Sequence, residues 1–168
     1  VNRNKKGIAL DMRQPEAHQI LFRLLETADV LVENFKVGTL EKWGIGFTDV
    51  LQKKFPRLIH CRVTGFGSNG PYAGFPGYDA VAQATSGLMS INGDADRPPV
   101  RIGVPIVDLT TGMNAVIAIL LALYERETSG LGQSIEVSLY DTAVSLIHPH
   151  AANWFLDGKP QKRLGSAH

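Results

Sequence analysis

The sequence predicts an α/β fold: a mostly parallel sheet with flanking helices. Up to residue 64, short apolar, strand-like runs alternate with helical patterns. Clusters of Gly and Pro separate later elements, and a long apolar helix pattern follows in the second half. Alternating strands and helices are typical of parallel sheets whose strands are joined by helical crossovers.

The first part of the chain carries three predicted strands, at residues 8–12, 29–33 and 58–64. After the first strand, Pro15 opens a helix in which apolar residues recur at three- and four-residue intervals. Two short helices, around residues 39–43 and 48–55, precede the third strand. This order gives the strand–helix–strand pattern of an α/β domain.

The second part combines loops, helices and one strand. Gly and Pro predict a long loop over residues 65–77. Helices are predicted over residues 79–89, 105–128 and 141–155, and a strand over residues 134–139. The helix that begins at Pro105 is apolar at every position from Ala115 to Leu123, so we expect it to be buried without a solvent-facing side.

Composition limits the class of protein. With 168 residues, of which 44% are hydrophobic and 20% charged, the chain can form one globular domain with a sizeable core. A net charge of +1 gives no overall attraction to nucleic acid or an anionic membrane. The longest apolar run is shorter than the roughly 18 residues that a membrane span needs. We therefore expect a cytoplasmic protein that binds neither nucleic acid nor membrane.

Cys61 is the single cysteine, and it lies in an apolar-rich run. A buried thiol is expected there, an intrachain disulfide is excluded, and a reducing compartment fits this usage. His148 and His150 flank Pro149, but no Cys or carboxylate completes a set at metal-ligand spacing. The sequence therefore predicts no metal site.

The segment from Gly65 to Gly70 matches the pattern G-x-G-x-x-G after a predicted strand. The dinucleotide-binding fingerprint requires a helix that opens on the last glycine. Here Pro71 follows, and the chain stays irregular. Binding of a nicotinamide cofactor is therefore disfavoured.

Asp108 is an isolated acid at the start of the long apolar helix. Burying a charge without partners is costly, whereas the free N–H groups and the dipole of a helix start favour an anion. Pro105 suits the first helical position. On this evidence alone two interpretations stay open: Asp108 caps the helix, or it is an anion kept for chemistry.

Basic residues are concentrated in the first quarter of the chain. Among them are Arg3, Lys5, Lys6, Arg13, Lys36 and Lys42. Arg13 and Lys36 lie just beyond predicted strand ends, where α/β proteins bind phosphorylated ligands. Phe35 and Trp43 are close in sequence and could stack on a flat base. A solvated basic face is the alternative interpretation.

Several segments, in one order along nearly the whole chain, resemble the class III coenzyme A (CoA) transferases, the family of formyl-CoA transferase and carnitine CoA-transferase. The segments are residues 2–6 with 9–11, 29–35 with Gly38, 64–67 with 70–71, 77–83, the Asp108 segment, and 128–133. The resemblance implies that residues 1–168 are part of a Rossmann-like large domain. We expect this piece to lack the N-terminal start, the smaller domain and the C-terminal return segment.

The resemblance implies that Asp108 is a covalent nucleophile. Its carboxylate would attack an acyl-CoA thioester to give a mixed anhydride, and CoA would then form an aspartyl-CoA thioester that a second acid attacks. An aspartate with an ordinary pKa of about 3.9 is ionised near pH 7, as this role requires. Gly112, one turn further along, leaves room for the thioester.

The resemblance also implies a CoA site built from three segments: the end of the first predicted strand, the loop beside the adenine, and the segment near the pantetheine. The residues are Leu10, Asp11, Met12, Arg13, Asn34, Phe35, Lys36, Lys42, Trp43, Pro76, Gly77, Tyr78 and Asp79. Lys42 stands in place of a family arginine, Trp43 of a methionine and Pro76 of a lysine. CoA or acyl-CoA is expected as a substrate, with no tightly bound cofactor.

Tyr78 separates this interpretation from its nearest alternative. The α-methylacyl-CoA racemases share the fold and resemble Gly-His-Asp at this position, where the histidine serves as an acid or base. A tyrosine is a poor base at neutral pH, so transfer is favoured over racemisation. An inactive α/β CoA-binding relative is the other alternative.

The tail of the chain resembles one branch of the family. Residues 149–154 and 163–168 are similar to enzymes that move CoA from succinyl-CoA to dicarboxylic acids such as glutarate. The implied partners are an acyl-CoA, a carboxylic acid and a second copy of the full-length chain in an interlocked homodimer. We expect residues 1–168 to be inactive alone.

Overall fold

A computed structural model describes residues 2–166, so the last two residues of the tail segment lie outside the described part. It contains a three-stranded parallel sheet in the order β1–β2–β3. The strands are β1 (Val30–Glu33), β2 (Ile59–Thr64) and β3 (Ser134–Ser138). Because all three run in the same direction, their carboxyl ends meet at one edge. The predicted α/β class is confirmed.

Eight α-helices flank this sheet in the described residues. They are α1 (Pro15–Leu25), α2 (Thr39–Lys42), α3 (Gln52–Lys54), α4 (Asp79–Thr85), α5 (Leu88–Ile91), α6 (Ile106–Ser129), α7 (Leu139–Leu146) and α8 (His150–Asp157). A π-helical turn over Phe47–Leu51 leads directly into α3. Most of these elements follow the predicted pattern.

Two predicted helices are each divided in the structure. The helix expected over residues 79–89 breaks between α4 and α5, where Gly87 adopts a left-handed φ of 93°. The helix expected over residues 141–155 breaks between α7 and α8, next to Pro149, which has no N–H to continue the helical bonds.

The strand predicted over residues 8–12 is wrong. This segment has no strand assignment and pairs with no strand of the described sheet, and Ile8 is 64% exposed. A strand is stable only when a neighbouring backbone completes its hydrogen bonds, and the local pattern cannot show whether such a neighbour exists.

The core has two layers because side chains alternate between the two faces of β2. On one face, Val63 packs against the cluster that includes Val107 of α6. On the other, His60 stacks on the ring of Phe47 with the ring centroids 5.0 Å apart. Cys61 is a buried free thiol, as predicted, and burial together with the charge of Glu33 raises its pKa.

Helix α6 packs only one side against the sheet. The buried residues on that side are Val107, Thr111, Ala115, Ala122 and Arg126. The opposite side is open, with more than half of each of these side chains exposed: Met113, Val116, Ile117, Leu120, Leu121 and Tyr124. The expectation of a fully buried helix is therefore wrong for this chain. By length and composition alone α6 could also cross a membrane, which the short apolar runs did not predict.

Candidate active site

A cavity of about 600 Å³ lies at the carboxyl edge of the sheet. Asn34, Gly65 and Leu139, each the first residue after one of the three strands, contribute to its wall. The starts of α4 and α6 complete it, bringing Tyr78, Asp79, Asp108, Thr111 and Gly112 to the same space. Ligand sites of parallel α/β sheets lie at this edge, so the cavity is the leading candidate site.

Asp108 stands in the first turn of α6 and lines this cavity. Within residues 2–166 its carboxylate accepts no hydrogen bond and joins no ion pair. Partial burial, and then the negative charge of Asp79, raise the pKa of Asp108 above its ordinary value. The side chain is a carboxylate that faces the cavity without a cation to neutralise it.

Asp79 caps helix α6. Its Oδ2 accepts hydrogen bonds from the backbone N–H of Val107 at 2.8 Å and of Asp108 at 3.2 Å. The interpretation of Asp108 as the helix cap is therefore wrong. The reason is that a buried acid from α4 already occupies the free N–H groups that the sequence analysis assigned to Asp108.

Gln83 holds Asp79 in place. Gln83 is fully buried, and its Nε2 donates to Asp79 Oδ1 at 2.6 Å. Its Oε1 accepts the backbone N–H of Ile102 at 2.8 Å. Asp79 was expected beside the pantetheine and Gln83 had no predicted role, although their four-residue spacing on one helix could have indicated the pair.

Two glycines allow the loops at the cavity to cross. A Cβ on Gly77 would lie 2.6 Å from Gly65 Cα, so only glycine fits this approach. The chain between them is irregular, and α4 begins at Asp79 rather than at Gly70. The helix that a dinucleotide fingerprint requires is therefore missing there, as predicted. At Gly112, by contrast, a Cβ would meet nothing within 4 Å, which leaves open space beside Asp108.

A second cavity, of about 220 Å³, continues from the first along the same edge. The two share Asn34, Val63, Gly65, Gly77 and Tyr78. The predicted residues Phe35, Lys36 and Pro76 line the second cavity. Together the two cavities form one groove that leads to Asp108. The amide of Asn34 also donates to Val63 O at 2.7 Å and so links the ends of β1 and β2.

The aromatic pair expected from the sequence lies beside this groove. The rings of Phe35 and Trp43 meet edge to face, with their centroids 5.1 Å apart. A residue that the sequence analysis missed fixes Phe35: Glu33 Oε2 accepts the Phe35 N–H at 2.8 Å. Glu33 in turn accepts from Arg62 at 2.7 Å, so a buried ion pair supports the loop.

The predicted residues before α1 are not brought to the groove. Leu10, Asp11, Met12 and Arg13 line neither cavity in the described structure. Instead, the guanidinium of Arg13 bonds to Asp11 at 2.8 Å and lowers the pKa of Asp11 to about 2. Lys42 is exposed on α2 and also lies outside both cavities.

Arg101 is a site residue that the sequence analysis missed. It belongs to the polar loop before α6, and it lines the larger cavity together with Asp108. Nothing in the local pattern distinguishes it from other loop cations. Within the described residues, no three or more His, Cys, Asp or Glu side chains are grouped so that they could hold a metal ion.

Comparison with known proteins identifies the family to which the chain is similar. The model of CoA-transferase family III matches residues 1–168. The succinate–glutarate CoA-transferase of Agrobacterium fabrum is 42% identical over 167 residues, which cover 99% of this chain and 42% of that protein. The human succinyl-CoA:glutarate CoA-transferase is 41% identical, with 100% of this chain and 38% of that protein covered.

A solved structure shows the same fold. The crystal structure of a CaiB/BaiF family protein from Brucella suis superposes with a TM-score of 0.92 at 42% identity. The match covers 98% of this chain and 43% of the Brucella chain. This chain thus spans about two fifths of the length of the relatives it matches.

Proposed function

Because this chain belongs to CoA-transferase family III, we propose that the full-length protein moves CoA from an acyl-CoA to a carboxylic acid. The observation that carries the proposal is the Asp108 carboxylate, unpaired in a cavity at the carboxyl edge of a parallel sheet. Relatives named for succinyl-CoA and glutarate support succinyl-CoA as donor and a dicarboxylic acid as acceptor.

In the first half-reaction, Asp108 is the nucleophile. One carboxylate oxygen attacks the thioester carbonyl, the C–S bond breaks, and CoA leaves as a thiolate. The product on the enzyme is a mixed anhydride between Asp108 and the donor acyl group. The thiolate then attacks the aspartyl carbonyl, which releases the donor acid as a carboxylate and leaves an aspartyl-CoA thioester.

The second half-reaction runs the same steps towards the acceptor. The carboxylate of the incoming acid attacks the aspartyl-CoA carbonyl and expels CoA thiolate, which forms a second mixed anhydride. The thiolate attacks the acyl carbonyl of that anhydride. Asp108 leaves as a free carboxylate, and the acceptor departs as its CoA thioester. No proton or redox partner is required.

The surroundings of Asp108 suit this role. A nucleophilic carboxylate must be ionised yet not stabilised by a cation that would weaken its attack. Within residues 2–166 no cation pairs with Asp108, and a carboxyl group of ordinary pKa is ionised near pH 7. Burial and the charge of Asp79 raise the pKa of Asp108, which makes its carboxylate more basic. Gly112 leaves space for the thioester next to the reacting oxygen.

We assign the CoA nucleotide to the smaller cavity and its surroundings. Phe35 and Trp43 offer aromatic faces for the adenine, while Lys36 and Lys42 are cations for the phosphates. The pantetheine then runs past Pro76, Gly77 and Tyr78 towards Asp108. The Leu10–Arg13 segment lines neither cavity in the described structure, so its contact with CoA stays a prediction.

The open side of α6 fits a larger assembly. We propose that residues 1–168 are part of the large domain and that the rest of the chain, in an interlocked homodimer, covers this apolar side. Helix α6 carries four charged residues: Asp108 faces the site, Arg126 faces the sheet, and Glu125 and Glu127 are exposed near the C-terminal end. Charges at both ends of the helix favour a protein cover over a membrane. The cytoplasmic location expected from the sequence stays a prediction.

The test uses the full-length protein with succinyl-CoA and a panel of carboxylic acids. We expect a new acyl-CoA to form, with loss of succinyl-CoA, and expect the Asp108→Ala variant to abolish it. A parallel incubation of a 2-methylacyl-CoA in deuterium oxide tests the racemase alternative. Exchange at the α-carbon without any transfer to an acid would overturn the proposal in favour of racemisation. If neither transfer nor exchange occurs, the protein is an inactive CoA-binding relative.

A further inference from the structure

Arg101 brings a positive charge into the cavity that holds Asp108. It is the one Lys or Arg among the residues that line this cavity in the described structure. Within residues 2–166 its guanidinium forms no ion pair and no side-chain hydrogen bond. An arginine in a cleft with five free N–H groups is suited to a planar anion such as a carboxylate.

Hydrogen bonds hold the backbone on both sides of Arg101. Asn92 Nδ2 donates to Val100 O at 2.9 Å, and the Ile102 N–H donates to Gln83 Oε1 at 2.8 Å. The backbone of Arg101 is therefore held in place through both of its neighbours, whereas its own side chain makes no hydrogen bond in the described structure.

The hydrogen bond at Ile102 also connects the backbone beside Arg101 to the backbone of Asp108. Gln83 bonds to Asp79, and Asp79 bonds to the backbone N–H of Asp108. A continuous chain of hydrogen bonds thus fixes the backbone beside Arg101 relative to that of Asp108. A side chain that extends from a fixed backbone position is suited to bind the far end of a substrate whose other end reacts at Asp108.

The position of Arg101 separates its role from that of a phosphate-binding residue. Lys36, which we assign to the CoA phosphates, lines the smaller cavity and not the one with Asp108. Arg101 also does not pair with Asp108, and such pairing would reduce the nucleophilicity of the carboxylate. The anion that Arg101 can meet is therefore one that enters the acyl end of the site.

We propose that Arg101 binds the distal carboxylate of a dicarboxylic acid or of its CoA thioester, while the other end of the molecule reacts at Asp108. This inference rests on the proposed CoA transfer and adds the residue that selects the substrate class. Straight-chain monocarboxylic acids of the same length lack the second charge and cannot make this contact.

The experiment compares glutarate with pentanoate, its five-carbon monocarboxylic counterpart, as acceptors in the full-length protein at saturating succinyl-CoA. The measured quantity is the ratio of the two kcat/KM values in one preparation, which cancels differences in the folded fraction. The variants are Arg101→Gln, Arg101→Lys and, as the control, Arg97→Gln, an exposed arginine of the same loop that does not line the cavity.

We expect Arg101→Gln to lower the glutarate-to-pentanoate ratio by about tenfold to a hundredfold, mostly through KM for glutarate. Arg101→Lys should restore part of the ratio, since it keeps the charge but not the paired N–H geometry. Arg97→Gln should leave it unchanged. Equal losses for both acids, an unchanged ratio, or a wild-type preference for pentanoate would overturn the role of Arg101 while CoA transfer stands. Absence of transfer to any acid would overturn the proposed function itself.

Discussion

The two ends of helix α6 each carry a charged side chain, and the structure treats them in opposite ways. Near the C-terminal end, Arg126 is buried and donates to Asp29 Oδ1 and to the backbone O of Arg57, both at 2.8 Å. At the N-terminal end, Asp108 has no hydrogen-bond partner for its carboxylate within residues 2–166. The two terminal nitrogens of Arg126 are held by hydrogen bonds, whereas the carboxylate of Asp108 faces a cavity.

This contrast follows from where each end of α6 lies on the sheet. Asp29 and Arg57 lie just before β1 and β2, so Arg126 ties the helix to the amino edge. Asp108 lies at the carboxyl edge, where the backbone N–H groups of α6 are already satisfied by Asp79. A charge with satisfied partners stabilises the fold, while one without partners stays available for chemistry.

The largest expected effect is on Asp108. The Asp108→Ala variant removes the nucleophile, so we expect kcat for CoA transfer to fall by at least about a thousandfold. Because the carboxylate has no partner to lose, the free energy of unfolding should stay within about 0.5 kcal/mol of wild type. Steady-state kinetics and urea unfolding of the full-length protein measure both. A large loss of stability would show that the Asp108 carboxylate stabilises the fold, as Arg126 does.

The opposite result is expected at Arg126. The Arg126→Ala variant leaves the Arg57 carbonyl and the Asp29 carboxylate without their donor, so we expect unfolding to become easier by about 2–3 kcal/mol. The kcat of the protein that stays folded should not change, because Arg126 lies far from the carboxyl edge of the sheet. Urea unfolding measures the change in stability, and steady-state kinetics at a temperature below the unfolding transition measure kcat. A loss of kcat in fully folded protein would contradict the comparison.

Asp79 has both a structural and an electrostatic role, since it caps α6 and its negative charge raises the pKa of Asp108. Replacing it by Asn removes a negative charge, which should lower the pKa of Asp108. The nucleophile then stays ionised at lower pH, so the acid limb of the kcat/KM profile should move to lower pH. Tyr78 and Arg101, the other titratable or charged groups lining the cavity, are unchanged by this substitution.

The matched control for this profile is Asp96→Asn, an exposed carboxylate in the loop before α6. It should leave the acid limb where it is. An acid limb that stays fixed in Asp79→Asn, or that moves to higher pH, would show that Asp79 does not set the charge of Asp108.

The smallest expected effect is at Gly112. Alanine is a better helix former, so Gly112→Ala should stabilise the full-length protein by up to about 1 kcal/mol. Its methyl group would enter the space beside Asp108, and we expect kcat/KM for CoA transfer to fall severalfold. Thermal unfolding checks the gain in stability, and kinetics with succinyl-CoA check the loss of kcat/KM. Unchanged activity would mean that the thioester does not approach over Gly112.

Local patterns predicted much of this fold. The strands β1 and β2 were predicted because each lies in a short apolar-rich run between clear breaks, and β3 because its polar and apolar residues alternate. The strand at residues 8–12 failed because pairing depends on a distant backbone. The burial of α6 failed because an apolar pattern all round a helix does not say which side the chain itself covers.

The site was predictable only in part. Asp108 was identified because a lone acid at an apolar helix is unusual and because its segment resembles a family. The cap by Asp79 was missed because it joins residues 28 positions apart. Arg101 was missed because only the fold shows that its loop faces Asp108.

The most direct test of the central claim is to trap the intermediate on Asp108. The full-length protein is incubated with succinyl-CoA, treated with hydroxylamine, digested and mapped by mass spectrometry. A covalent aspartyl-CoA thioester predicts a hydroxamate on Asp108 that depends on succinyl-CoA and is absent from Asp108→Asn. Modification of a different residue, or undiminished CoA transfer by a variant without the Asp108 carboxylate, would contradict it.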